Sequence, residues 1–199
     1  MKYPVVLTIA GSDSVGGAGI QADIKAISAT GGYAASAITA ITVQNTVGVQ
    51  AVHNVPVDIV RGQIEAVIGD IGADAVKIGM LSTAELVRTV KDTLTGLGVT
   101  NIVLDPVMVA TSGDRLIDED AVEVLATGLA PFARVLTPNI PEAEILSADH
   151  LFTVKMLHEH LMKELLSGKG FYLVKIRSID MGNAAFLHYI EFYIRRNEP

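Results

Sequence analysis

The chain has 199 residues, half of them hydrophobic and only 5% aromatic, with a mean hydropathy of +0.43. That length supports one large domain with an aliphatic core of the kind a parallel sheet buried on both faces requires. A net charge of −7 argues against nucleic acid or an anionic membrane as partner, and the lack of cysteine excludes disulfides and thiolate metal sites.

The elements alternate along the chain. VVLTIAG (5–11) reads as a first strand rather than a signal peptide, because it runs into Gly-Ser-Asp without a cleavage site. GIQADIKAISATG (19–31) places Ile20, Ile24 and Ile27 at helical spacing and stops at glycine. AASAITAIT (34–42) is predicted as one strand and VGVQAVHNV (47–55) as a further strand at an edge. A proline opens the helix predicted at 56–71. AVKIGM (75–80) is a strand, 83–98 a helix ended by glycine, and IVLDPVM (102–108) a strand. Residues 118–133 read as a helix with the acidic run DEDAVE at its favourable end, and VLTPN (135–139) as a strand. Helices at 141–146 and 153–170 and a strand at 172–176 complete the series. No apolar run reaches the roughly 18 residues of a membrane span, and the expected location is the cytoplasm.

Strands alternating with helices mean βαβ units around a mostly parallel sheet, whose ligands bind beyond the carboxyl ends of the strands. Polar residues collect there: Ser12, Asp13, Gln44, Asn45, Asp105, Asn139, Glu142 and Lys175. His158 and His160, two apart on a helix, point to different faces and read as structural. The last stretch, 176–199, reads either as a helix with an aromatic stripe or as a short strand pair.

The loop GSDSVGGAG (11–19) packs four glycines between the first strand and first helix. It lacks the Gly-Lys-Ser/Thr of a P-loop, and Asp13 and Asp23 flank it, which would repel a phosphate. The loop suits a neutral or weakly basic polar ligand, with glycines for close approach and Asp23 as acceptor. The amide of Gln44 accepts from an exocyclic amine while donating to a ring nitrogen, a pairing that fits an aminopyrimidine. The alternatives are that Asp13 caps the helix, that Gln44 is an ordinary loop residue, and that Asn139 and Glu142 form a capping box.

TIAGSDSVGGAGIQADIKAISATGGY, TAITVQNTVGVQ, KIGML, VLDPVMVATSGDRL and LTPNIPEAEIL follow one another in order across residues 5 to 175. Together they strongly resemble the hydroxymethylpyrimidine/phosphomethylpyrimidine kinases of thiamine biosynthesis, in the ribokinase-like superfamily. The resemblance implies an α/β three-layer sandwich over residues 1–175, with a mostly parallel sheet between helices. It implies ATP- and Mg²⁺-dependent phosphorylation of 4-amino-5-hydroxymethyl-2-methylpyrimidine and then of its monophosphate. Gly11, Asp23 and Gln44 would hold the pyrimidine, and Met80 and Val107 would line its ring. Asp105 and Glu142 would lie at the metal, and Asn139 and Lys175 at the nucleotide phosphates. A homodimer is implied as well.

Two departures accompany the match. The family's Lys-Gly-Gly-His is here KIRS, at 175–178, and the Gly-Thr-Gly-Cys loop that supplies an anion hole and the usual catalytic residue is absent. Residues 176–199 are expected to be a divergent or frameshifted tail of a C-terminally truncated domain. Their apolar side chains would cover exposed core or mediate association. Impaired turnover, a non-catalytic pyrimidine-binding remnant and a pyridoxal kinase are the resulting alternatives.

Overall fold

The computed structural model describes residues 3–108 and 116–139, Glu142, Ile145 and Leu146, and the backbone of three short strands between 172 and 191. The helix expected at 153–170, with His158 and His160, lies outside the described residues, as do residues 109–115 and part of 141–146.

The six-stranded sheet has the order β2-β1-β5-β6-β7-β8, with every neighbouring pair parallel. Its strands are β1 (Val5–Ala10), β2 (Tyr33–Ile38), β5 (Ala75–Ile78), β6 (Ile102–Leu104), β7 (Val135–Leu136) and β8 (Tyr172–Leu173). Helix α1 (Gly19–Ala29) packs on β1 and β2, while α2 (Val57–Asp70), α3 (Ala84–Gly96) and α4 (Glu119–Val124) pack on one another. The right-handed rule for parallel crossovers puts α1 on one face of the sheet and the other three on the opposite face. This is the predicted ribokinase-like layering.

The period of two along each strand decides which side chains build the core. Leu7 and Ile9 of β1, Val76 and Ile78 of β5, and Ile102 and Leu104 of β6 join Val60, Ile64, Val87, Val90 and Leu94 in one cluster beneath α2 and α3. The intervening residues, Thr8, Lys77 and Asp105, therefore turn toward α1. The chain moves from β1 to β2 in one direction and from β5 onward in the other, so β1 and β5 bracket the topological switch point, where ligands of such sheets bind.

Two elements differ from expectation, and in the tail one of two open alternatives is taken. The strand predicted at 34–42 breaks at Thr39, whose buried hydroxyl donates to the Met80 carbonyl at 2.9 Å. Beyond it, β3 (Ala40–Gln44) leaves the main sheet and pairs antiparallel with β4 (Val49–Asn54), the strand expected at an edge. The helix predicted at 118–133 is regular only through Val124, then widens into a π turn (Leu125–Leu129) and tightens into a 3₁₀ turn containing Pro131. In the tail, β9 (Lys175–Asp180) and β10 (Phe186–Glu191) form an antiparallel pair, which selects the strand alternative.

Gly62 lies inside α2, and a Cβ there would meet no atom within 4 Å. Gly62→Ala is expected to stabilise the chain by about 0.5–1 kcal/mol, because alanine loses less backbone entropy in a helix. Urea unfolding measures the gain, and an unchanged or lower midpoint would contradict it.

Candidate active site

The loop after β1 is held by its own side chains. The Asp13 carboxylate is buried and accepts from the N–H groups of Val15, Gly17 and Ala18 at 2.8–2.9 Å. Gln21 accepts from the Asp13 N–H at 2.7 Å. Asp13 thus orders the loop ahead of α1 rather than capping the helix, whose N-cap is Ala18 and has no side-chain cap bond, and its charge is spent on backbone dipoles. The loop is also bound to β3. Ser12 N–H donates to the Ala40 carbonyl at 2.8 Å, and the Thr42 hydroxyl donates to the Ser12 carbonyl at 2.7 Å. Ser14 adds a bond to the Thr42 carbonyl at 2.8 Å. Gln44 closes β3 beside this junction, its Oε1 3.4 Å from the Thr42 hydroxyl.

Gly11 and Met80 touch. A Cβ built on Gly11 would lie 2.8 Å from Met80 Cε, so any larger residue there would push the thioether end of Met80 aside. Gly19 has φ +55°, and a Cβ on it would lie 2.3 Å from the Gly11 carbonyl oxygen. That carbonyl accepts from Ile20 N–H at 3.0 Å, which seats the start of α1 directly on Gly11. Four of the five residues expected around a pyrimidine, Gly11, Asp23, Gln44 and Met80, thus lie on elements joined at the β1 end.

Asp23 reaches from α1 to the sheet. Its Oδ2 accepts from the Thr8 hydroxyl at 2.6 Å and pairs with Lys77 Nζ at 3.1 Å. Lys77 Nζ lies 3.5 Å from Asp105 Oδ2, and Thr137 donates to Asp105 Oδ1 at 3.4 Å. Among the described residues no hydrogen bond uses Asp23 Oδ1, which leaves it as an acceptor for a ligand. Val107 lies two residues beyond Asp105, its N–H donating across Pro106 to the Asp105 carbonyl at 2.8 Å.

Asn139 and Glu142 form the reciprocal capping box. Asn139 N–H donates to Glu142 Oε2 and Glu142 N–H to Asn139 Oδ1, each at 2.9 Å. Glu142 Oε1 also receives Met108 N–H at 3.4 Å. The motif's structural use is therefore real. Each carboxylate oxygen retains a lone pair for another partner. Lys175 opens β9 opposite Glu191 in the backbone register, and its side chain lies outside the described residues.

The two inner carboxyls are raised above their ordinary range. Burial pushes Asp105 up most, opposed by the Lys77 charge and reinforced by Asp23. Burial likewise raises Glu142, opposed by its bond from the Asn139 N–H and reinforced by Asp105. A raised folded-state pKa means that the native chain holds a proton the unfolded chain has released, so stability falls as pH rises from the ordinary value of 4.5 through the raised one. Glu142→Gln keeps an oxygen acceptor for the cap but carries no charge. In metal-free buffer it is expected to match the parent below that window and to melt higher at neutral pH. Equal melting temperatures at neutral pH would contradict it.

Among the described residues no group of three or more His, Cys, Asp or Glu side chains gathers as a metal cage. Mg²⁺ does not need one, since it binds through one or two carboxylates with water and substrate phosphates, and Asp105 with Glu142 fits that donor set.

Lys77, Thr8 and Thr137 escaped the sequence reading. A lysine inside the apolar strand AVKIGM was the available signal, because a charge in a strand buried on both faces must be paired.

Known proteins extend these observations. The profile of phosphomethylpyrimidine kinase matches residues 13–187. The hydroxymethylpyrimidine/phosphomethylpyrimidine kinase of Escherichia coli is 44% identical over 90% of this chain and 68% of its own length. A crystal structure of phosphomethylpyrimidine kinase from Clostridium difficile superposes with a TM-score of 0.76 at 41% identity, covering 94% of this chain and 81% of that one. A Bacillus subtilis pyridoxal kinase, solved as an ADP complex, reaches a TM-score of 0.72 at 32% identity over 98% of this chain and 78% of that one. The chain spans between 20% and 68% of the length of the curated relatives it matches. Among the described residues no helix is long and apolar enough to cross a membrane. With its parallel sheet, its glycine loop and a family match over most of its length, the chain belongs to the phosphomethylpyrimidine kinase family.

Proposed function

We propose that the chain phosphorylates 4-amino-5-hydroxymethyl-2-methylpyrimidine and its monophosphate, using ATP and Mg²⁺. The observation that carries this reading is the meeting, at the β1/β5 switch point, of the wall formed by Gly11 and Met80 with the Asp23–Lys77–Asp105 charge row. Gln44 reads the aminopyrimidine edge, Asp23 Oδ1 accepts from the ligand, and Val107 lines the ring. Asp105, with Glu142 beside it, faces Mg²⁺, which when bound would neutralise charge on the transferring phosphate. Asn139 and Lys175 serve the nucleotide phosphates. Phosphoryl transfer asks mainly for positioning and charge stabilisation, and the row of fixed charges supplies both.

We place residues 1–175 as the kinase unit and 176–199 as a separate tail. The cytoplasm is the proposed location and a homodimer the proposed assembly. The exposed Ile41 and Val43 on β3 support the dimer.

Pyridoxal kinase is the competing assignment. The lower identity to the pyridoxal kinase, 32% against 41% to the pyrimidine kinase structure, favours the pyrimidine. Calorimetric titration with hydroxymethylpyrimidine and with pyridoxal tests the choice. Tighter pyrimidine binding is expected, reduced about tenfold or more by Gln44→Ala, the scale of a hydrogen bond lost from a buried site. Tighter pyridoxal binding, or pyrimidine binding indifferent to Gln44→Ala, would contradict the assignment.

A further inference from the structure

We propose that Lys77 is a positioning residue that ties the pyrimidine half of the site to the metal half. The inference rests on the reading above for what the two halves bind. The geometry rests on the chain alone.

Lys77 stands next to Thr8 in the β1–β5 register, and both turn toward α1. Its ammonium bridges Asp23 Oδ2 at 3.1 Å and Asp105 Oδ2 at 3.5 Å. Thr8 donates at 2.6 Å to the same Asp23 oxygen, Oδ2, that meets the ammonium, and Thr137 donates at 3.4 Å to Oδ1 of Asp105, the oxygen that Lys77 does not use. Thr8–Asp23–Lys77–Asp105–Thr137 is thus one continuous row across β1, β5, β6 and the end of β7, with α1 contributing Asp23. The side chain of Lys77 is only 22% exposed, so water screens the row weakly.

Gly79, two residues on, shapes the space for the ammonium. A Cβ there would lie 3.0 Å from Lys77 Nζ and 3.0 Å from Ala10 Cβ. The lysine is therefore confined between the two carboxylates and Gly79. Without the ammonium, Asp23 and Asp105 repel across the gap it fills, and each keeps only a threonine hydroxyl. Lys77 makes no contact that requires a substrate. It acts by fixing where the two carboxylates sit, one toward the ring and one toward the phosphates.

The test combines crystal structures with binding. Lys77→Met fills the space without the charge, and Lys77→Gln, which keeps a donor, replaces it if the first variant does not fold. In either variant the Asp23 and Asp105 carboxylates are expected to turn away from each other. Hydroxymethylpyrimidine affinity and kcat are each expected to fall about tenfold or more, the scale for losing an orienting partner. In an Asp23→Asn background the same Lys77 change is expected to cost much less in pyrimidine affinity, because its route of action is gone. Carboxylates that keep their positions, or affinity losses that simply add, would overturn the proposal. If the unsubstituted chain binds no pyrimidine, the assigned substrate is wrong, and the crystal structures of the variants alone decide the role of Lys77.

Discussion

Asp105→Asn is expected to lower Mg-ATP-dependent phosphorylation of hydroxymethylpyrimidine by about 100-fold or more, the scale for removing one preorganised charge from a transfer site. The fold should survive. Asp105 is the carboxyl whose burial works against its own ionisation, and asparagine removes that burden. Lys77 retains Asp23 as a partner at 3.1 Å, so no buried ammonium is left alone. Pyrimidine affinity should change little, because Gly11, Met80 and Gln44 are untouched. The expected pattern is a collapse of kcat with KM for pyrimidine nearly constant, which marks a group used in the transition state. A KM rise with kcat intact would place Asp105 with substrate binding instead.

Gly19→Ala is expected to destabilise the chain by more than about 2 kcal/mol, which for a chain of this size lowers the melting temperature by roughly 4–8 °C. Two effects add. Alanine must adopt φ near +55°, which a side chain disfavours, and its Cβ would lie 2.3 Å from the Gly11 carbonyl oxygen. The obstacle is backbone and cannot rotate aside, so the loop or the start of α1 must move. Either shift breaks the 3.0 Å bond from Ile20 N–H to Gly11 and displaces the wall against Met80. Pyrimidine binding should therefore weaken together with stability. Gly11→Ala provides a graded comparison, because its Cβ meets the flexible end of Met80, which can turn. It is expected to cost less stability but still disturb the ligand wall. Similar melting temperatures for Gly19→Ala and the parent would mean that the loop does not rest on Gly11 as described.

The layering was legible because its signals are local. Continuous apolar runs such as VVLTIA mark strands buried on both faces, and Ile20, Ile24 and Ile27 mark the helix between two of them. The break between β2 and β3 was not legible, since Thr39 is neither glycine nor proline and stands between Ile38 and Ile41 in a run with no turn residue. What parts the strands is tertiary: the Thr39 hydroxyl on Met80 and the pairing of Ala40–Gln44 with β4. The change of helical form after Val124 is equally silent in sequence, apart from Pro131.

The site was legible where residues follow strands and hidden where they lie within them. Asp105 and Gln44 stand at strand ends, where a doubly wound sheet places function. Thr8 and Lys77 lie inside strands, and only the register shows that both turn toward Asp23 on α1. Asp13 is the converse case. It sits in the most suggestive loop of the chain, yet its carboxylate is consumed by Val15, Gly17 and Ala18. For Asn139 and Glu142 the structure shows the capping box, and their spacing alone does not separate a cap from a pair of oxygen donors.

The most direct test is phosphorus NMR of the purified 199-residue chain with Mg-ATP and hydroxymethylpyrimidine, run beside Asp105→Asn. A pyrimidine phosphomonoester resonance, followed by a diphosphate and lost in the variant, is the predicted result. A folded chain that yields no pyrimidine phosphate, or that phosphorylates pyridoxal in its place, would contradict the assignment.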